Sequence, residues 1–182
     1  MNASTALLLI DFQKGFDAPS WGQRNNPQAE ERAAELLGHW RKHGWPVLHV
    51  QHLSQEAGSA LAAGQPGAAF KDATGPVDGE QQFQKSVNSA FIGTQLTEYL
   101  RAHAIDALVI AGLTTDHCVS TSTRMAGNLG FDVTLVSDAT ATFDRTGPDG
   151  VHHTADAIHQ VHLASLNEEF CAVRTTAEVL GG

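Results

Sequence analysis

Short apolar runs recur along the chain, separated by longer mixed segments. That alternation predicts βαβ units around a mostly parallel sheet, an α/β fold. Ala6–Ile10 reads as a first strand, followed by a loop rich in turn formers from Asp17 to Asn26. Pro27 suits the first turn of a helix reaching about His43, with Ala33, Leu36, Leu37 and Trp40 on one face. Gly44 closes that helix, and Pro46–Val50 begins a second strand. Gln81–Lys85 is a third strand, and Leu96, Tyr99 and Leu100 repeat at helical spacing from about Thr94. Ala107–Ala111 is the clearest buried strand, Cys118–Leu129 a helix closed by Gly130, and Asp132–Val136 a fifth strand. Val151–Asn167 is predicted helical, and Phe170–Val173 is a last strand. Between Ser54 and Gly79 neither period holds. Five glycines and two prolines punctuate this stretch, and a loop that long inside a compact domain is expected to be an active-site lid.

Composition narrows the function classes. A chain of 182 residues, 42% hydrophobic and 17% charged, is expected to form one domain over residues 1–182 with a core large enough to need no disulfide. Eleven Lys and Arg against twenty Asp and Glu give a net charge of −9. That balance repels nucleic-acid phosphates and anionic lipid, and no basic patch offsets it, since Arg41–His43 is the densest basic stretch. The apolar runs Ala6–Ile10 and Ala107–Leu113 are far too short to span a membrane. The first ten residues lack Lys and Arg, which argues against a secretory signal. Cys118 and Cys171 show no CxxC spacing, so a reducing, cytoplasmic compartment is expected. A small-molecule partner fits this balance, with no nucleic acid and no membrane.

Three chemically capable residues fall at one kind of place. Asp11 follows strand 1, Lys85 ends strand 3, and Cys118 lies one turn beyond strand 4. In open parallel sheets the carboxyl ends of the strands border the ligand crevice, so the topology would gather all three at one edge. Each alone reads blandly: a carboxylate after a first strand, a solvated lysine, an inert buried thiol. In combination they offer an acid–base group, a cation and a nucleophile. Thr115 and Asp116 are cap-type residues before Cys118. A helix start and a nearby ammonium would favour a thiolate there, with backbone N–H groups ready for an oxyanion. Lys85 is expected to dominate the charge of the pocket.

These segments resemble the isochorismatase-like cysteine hydrolases, which include nicotinamidases, N-carbamoylsarcosine, ureidoacrylate and biuret amidohydrolases, and isochorismatases. The resemblance runs through Leu9-Ile10-Asp11-Phe12-Gln13 with Phe16, then Lys85 followed by Asn88-Ser89-Ala90-Phe91-Ile92-Gly93-Thr94. It continues through Ala111 to Val119, Val136-Ser137-Asp138-Ala139, and Phe170. It implies a three-layer α/β/α sandwich with a six-stranded sheet, and Asp11, Lys85 and Cys118 as a catalytic triad. It also implies a cis Leu113–Thr114 peptide, with the Thr114 and Cys118 N–H groups as an oxyanion hole. Phe16, and with it Phe91, would line the substrate pocket, and the protein would be a homodimer or homotetramer.

The departures shape the expected activity. Nicotinamidases hold a metal through an Asp and several His after strand 2, whereas this chain reads His49-Val50-Gln51-His52. His49 and His52 are three apart on a strand and face opposite ways, so no metal and no cofactor is expected. His152, His153, His159 and His162 are placed on the last long helix, with His152, Asp156 and His159 near one face. His117 adjoins the nucleophile and could touch substrate. Ser120 to Thr123 are poor helix formers, so packing must hold their helix. The expectation is a metal-independent cysteine hydrolase cleaving a C–N bond of a small amide or ureido compound. Vinyl-ether hydrolysis of the isochorismatase type, or a catalytically idle interaction or redox protein on the same fold, are the alternatives.

Overall fold

A computed structural model describes residues 1–181; Gly182, the last residue of the expected domain, lies outside the described residues. Six parallel strands form one sheet: β1 (Thr5–Ile10), β2 (Val47–His52), β3 (Gln81–Lys85), β4 (Ala107–Leu113), β5 (Asp132–Ala141) and, after a small hairpin of β6 (Arg145–Thr146) and β7 (His152–His153), β8 (Ala172–Arg174). The order across the sheet is β3-β2-β1-β4-β5-β8, and every neighbouring pair is parallel. The chain winds outward from β1 in one direction, then returns to lay β4 on the other side of β1. Strand order therefore reverses between β1 and β4, where a crevice opens at the carboxyl ends.

Side chains along β1 alternate faces with the period of two that a strand imposes. Leu7 and Leu9 join Ala33, Leu36, Leu37 and Trp40 of α1 (Ala29–His43) in one core. Ala6, Leu8 and Ile10 join Leu96 and Leu100 of α2 (Leu96–Ala102), Ala126 of α3 (Ser120–Asn128), and Leu163 and Leu166 of α4 (Ala155–Leu166) in the other. A short α5 (Thr176–Gly181) packs on α1 and adds Val179 to the first layer. The result is the expected three-layer α/β/α sandwich. Because both faces are covered, β1 and β4 read as unbroken apolar runs. Gly44 ends α1 in the left-handed conformation that a C-cap demands.

Several elements differ from the sequence reading. β5 runs on to Ala141, well past the expected Val136, because a shift in its register with β4 lets it follow that strand to Leu113. The helix expected from Val151 starts at Ala155, where Thr154 caps it by accepting from the Ala157 N–H. His152 and His153 therefore lie on β7, exposed, rather than sharing a helix face with Asp156 and His159. Ser54 to Gly79 is irregular, as expected, with one short turn at Pro66–Ala68. Among the described residues no helix is long and apolar enough to cross a membrane.

Candidate active site

Asp11 is the first residue beyond β1, and its N–H still bonds to the Val50 carbonyl at 2.9 Å. Its φ of 54° is left-handed, a conformation that Asp tolerates better than most residues. Lys85 closes β3 opposite His52 of β2. Its side chain reaches across β2 to the crevice, so the sheet edge rather than sequence proximity brings it to Asp11. Cys118 lies in a widened π turn (Thr115–Val119) that bridges β4 and α3. The Leu113–Thr114 peptide is cis, as the resemblance implied.

The three side chains meet. Lys85 Nζ donates to Asp11 Oδ2 at 2.6 Å, to Cys118 Sγ at 3.2 Å, and lies 3.2 Å from His52 Nδ1. All three residues are buried, Cys118 most accessible at 7%. An ammonium has three donors, and three polar atoms lie within reach of this one. Asp11 Oδ1 is buried without a hydrogen-bond partner among the described residues.

The electrostatics revise two expectations. Burial, then the neighbouring Asp11 charge, pushes the Cys118 thiol up to about 12, despite the helix start and Lys85. Burial thus outweighs the helix start and the ammonium, the two features that in the sequence favoured a thiolate. Burial also raises the Asp11 carboxyl above its ordinary value, outweighing the Lys85 charge that lowers it. Lys85, expected to dominate the pocket, is instead matched by Asp11 in a fully buried pair. Burial and then Lys85 lower His52, so its imidazole stays neutral.

The turn that carries Cys118 is held by side chains from distant elements. Thr115 Oγ1 bonds to His159 Nδ1 of α4 at 2.8 Å, which is what buries His159. Asp116 accepts from Arg145 Nε at 2.7 Å and from Thr142 Oγ1 at 2.5 Å. Neither Thr115 nor Asp116 caps the helix, contrary to the cap-type reading; both are committed to these long-range bonds.

A cleft of about 100 Å³ opens on the sulfur, lined by Phe16, Trp21, His52, Leu61, Asn88, Thr114, His117 and Cys118. Phe16 stands where expected, packed on Trp21 at 5.0 Å between ring centroids. Phe91 does not line the cleft. The Ala90 N–H bonds to Ser122 Oγ and the Phe91 N–H to Ser89 Oγ, turning the ring into the core against Phe131. The Thr114 N–H, the expected oxyanion donor, bonds to no backbone acceptor outside a helix or strand. His49 and His52 do face opposite ways: His49 bonds Glu80 at 2.8 Å, and His52 faces Lys85. Asp11, His52 and Cys118 place ligand-type atoms within 4.8 Å of one another, with the Lys85 ammonium bonded among them. A larger groove of about 540 Å³ lies between β3 and α2, lined mainly by the glutamines of β3 with Glu98, Tyr99 and His103, and Asp11, Lys85 and Cys118 are not among its lining residues.

Trp21, His52, Leu61 and Asn88 were not assigned from sequence as pocket residues. Asn88 stood within the motif, and Leu61 in the loop expected to act as a lid. Gln13, also in the motif, proves to be a strut. Its amide donates to the His52 and Ala68 carbonyls at 2.9 Å, and its oxygen accepts from the His52 N–H at 2.8 Å. The loop is pressed onto this strut through Gly15 and Gly67, whose backbones touch. A Cβ on Gly67 would lie 2.4 Å from the Ala60 carbonyl oxygen and 2.8 Å from Gly15 Cα. Gly67→Ala is therefore expected to destabilise the fold by about 1–3 kcal/mol and, by shifting the Leu61 wall, to lower kcat/KM more than tenfold. Thermal unfolding and steady-state kinetics on one preparation check both.

The fold is a parallel α/β sandwich whose cluster of Asp11, Lys85 and Cys118 lies at the switch point of the sheet. The chain matches the isochorismatase domain over residues 5–178 and belongs to that family of hydrolases. It is 45% identical over 180 residues to the uncharacterized isochorismatase family protein YrdC of Bacillus subtilis, covering 99% of this chain and 96% of that protein. It is 33% identical over 150 residues to a maleamate amidohydrolase of Pseudomonas putida, covering 73% of this chain and 70% of the relative. A crystal structure of an isochorismatase-family hydrolase from Chromobacterium violaceum superposes with a TM-score of 0.96 at 47% identity, over 99% of this chain and 93% of that one.

Proposed function

We propose that the protein is an amidohydrolase that cleaves the C–N bond of a small amide or ureido compound through a thioester on Cys118. The observation that carries this reading is Lys85 Nζ, bonded at once to Asp11 Oδ2 and Cys118 Sγ. Moving the thiol proton to Asp11 turns one neutral cluster (ammonium, carboxylate, thiol) into another (ammonium, carboxylic acid, thiolate). No net charge is created in the buried site, so the transfer avoids the desolvation cost of making a lone thiolate. The sulfur attacks the carbonyl carbon, and the Thr114 and Cys118 N–H groups receive the developing oxyanion. Asp11 then gives its proton to the departing ammonia or amine. A water that loses its proton to Asp11 attacks the thioester, releasing the acid and restoring the thiol. Each step needs only this chain's residues and water. Amidohydrolase relatives support the reaction type.

Ammonia release from a panel of small amides and ureides tests the reading, and its pH dependence tests the proton path. Asp11 must be ionised to accept the thiol proton, and its value is raised. Activity should therefore fall as pH drops through a point above the ordinary carboxylate range. With the thiol at about 12, kcat/KM should then stay flat from pH 7 to 10, because the proton moves within the triad. A tenfold rise per pH unit over that range, the mark of a nucleophile ionised by solvent, contradicts the internal transfer.

A further inference from the structure

We infer that the site selects substrates with no negative charge, a small neutral amide rather than its carboxylate-bearing counterpart; this deepens the amidohydrolase reading and rests on it. The cleft wall is apolar on one side, Phe16, Trp21 and Leu61, and carries the neutral groups of Asn88 and Thr114 on the other. A substrate carboxylate buried there would need a cation. Lys85 does not line the cleft, and its buried ammonium is already paired with Asp11 and donates to Cys118. The cations nearest in the fold are committed elsewhere: Arg145 to Asp116, Arg24 to Glu30, Lys71 to Asp17 and Glu30, and Lys14 to Asp72. None of them lines the cleft. His117 at the rim is half-exposed, with the Asp116 carboxylate 3.5 Å from its Nε2.

The triad itself adds a bias in the same direction. Asp11 Oδ1 is a fully buried acceptor without a partner, and Asn88 Oδ1 lies 3.9 Å from the sulfur. The Asn88 oxygen, which lines the cleft and accepts from the thiol, repels a carboxylate there, and the Asp11 carboxylate buried behind the sulfur adds to that repulsion. A buried charge left unpaired is costly, which makes charge a strong discriminator even between molecules of one shape. A cleft of about 100 Å³ also falls well below the roughly 300–1,000 Å³ of pockets that hold drug-sized ligands, so the favoured amide has few heavy atoms.

Isosteric pairs test this directly. Iodoacetamide and iodoacetate differ only by –NH2 for –O⁻ and both alkylate thiols. Their rates at Cys118 of the native protein at pH 9, read by peptide mass spectrometry, are divided and compared with the same ratio for glutathione. The expected result is a ratio at least tenfold further toward iodoacetamide than glutathione gives. A ratio equal to glutathione's, or one favouring iodoacetate, overturns the inference. So does failure of both reagents to reach the sulfur, because a site for small neutral amides must admit iodoacetamide. In turnover, succinamide is expected to release one equivalent of ammonia and stop at succinamate, whereas faster release from succinamate overturns the charge preference while leaving amide hydrolysis intact. Iodoacetamide selectivity with no ammonia from any amide would instead keep the charge preference and sink the hydrolytic reading.

Discussion

Cys118→Ser is expected to lower kcat/KM for amide hydrolysis by about 10⁴-fold or more while leaving the fold in place. The substitution keeps the shape of the side chain but replaces a polarizable sulfur with a hydroxyl whose proton Asp11 cannot remove. The change in stability should stay within about 1 kcal/mol, a shift of roughly 2–4 °C in Tm for a chain of this length. Substrate binding should survive, so KM or inhibitor affinity moves little while kcat collapses. Equal activity in Cys118→Ser would mean that the sulfur only fills space, and the chemistry would have to be reassigned to Asp11 acting on water.

Lys85→Met is expected to lose both activity and stability, for one reason. Asp11 and Lys85 are wholly buried, and removing the ammonium leaves a carboxylate without its counterion. Breaking a buried pair in this way costs about 3–5 kcal/mol. Without Lys85 the Asp11 carboxyl rises further, so the folded state takes up a proton that the unfolded state does not. The deficit relative to wild type should therefore shrink as pH falls from 8 to 5 and grow as it rises. Asp11→Asn combined with Lys85→Met removes both charges. That double variant should recover most of the stability at neutral pH yet remain inactive, which separates the pair's structural role from its chemical one. Thermal unfolding and ammonia release across the three variants check this. A double variant no more stable than Lys85→Met would show that the deficit comes from packing.

The framework was legible where local pattern decides it. Unbroken apolar runs marked β1 and β4 because both faces of the sheet are covered, and the strand ends then located Asp11, Lys85 and Cys118. What stayed hidden depends on contacts between residues far apart in sequence. The β6–β7 hairpin is only two residues a side and is anchored by Arg145 on Asp116 and by His152 Nε2 on Asp144 at 3.1 Å, so its histidines read as helix. α5 is one short segment whose start is tied to Asp138 through two bonds of 2.8 Å from Thr176. The pocket walls Trp21 and Leu61 sit on irregular segments, and Trp21 is aimed by its Nε1–H bond to the Gly15 carbonyl at 3.0 Å and by packing on Phe16 and Phe143. Phe91 was misplaced because its motif position says nothing about which way Ser89 and Ser122 turn the backbone. The raised value of the thiol stayed hidden for a related reason: sequence shows the helix start and the cation, but not the burial that outweighs them.

Acid-quenching the enzyme during steady turnover of its best amide, then weighing the peptide that contains Cys118, tests the thioester most directly. The account predicts a fraction of that peptide heavier by the substrate's acyl group, discharged by hydroxylamine and absent from Cys118→Ser. A Cys118 peptide that stays unmodified under every quench, from an enzyme still releasing ammonia, would contradict it.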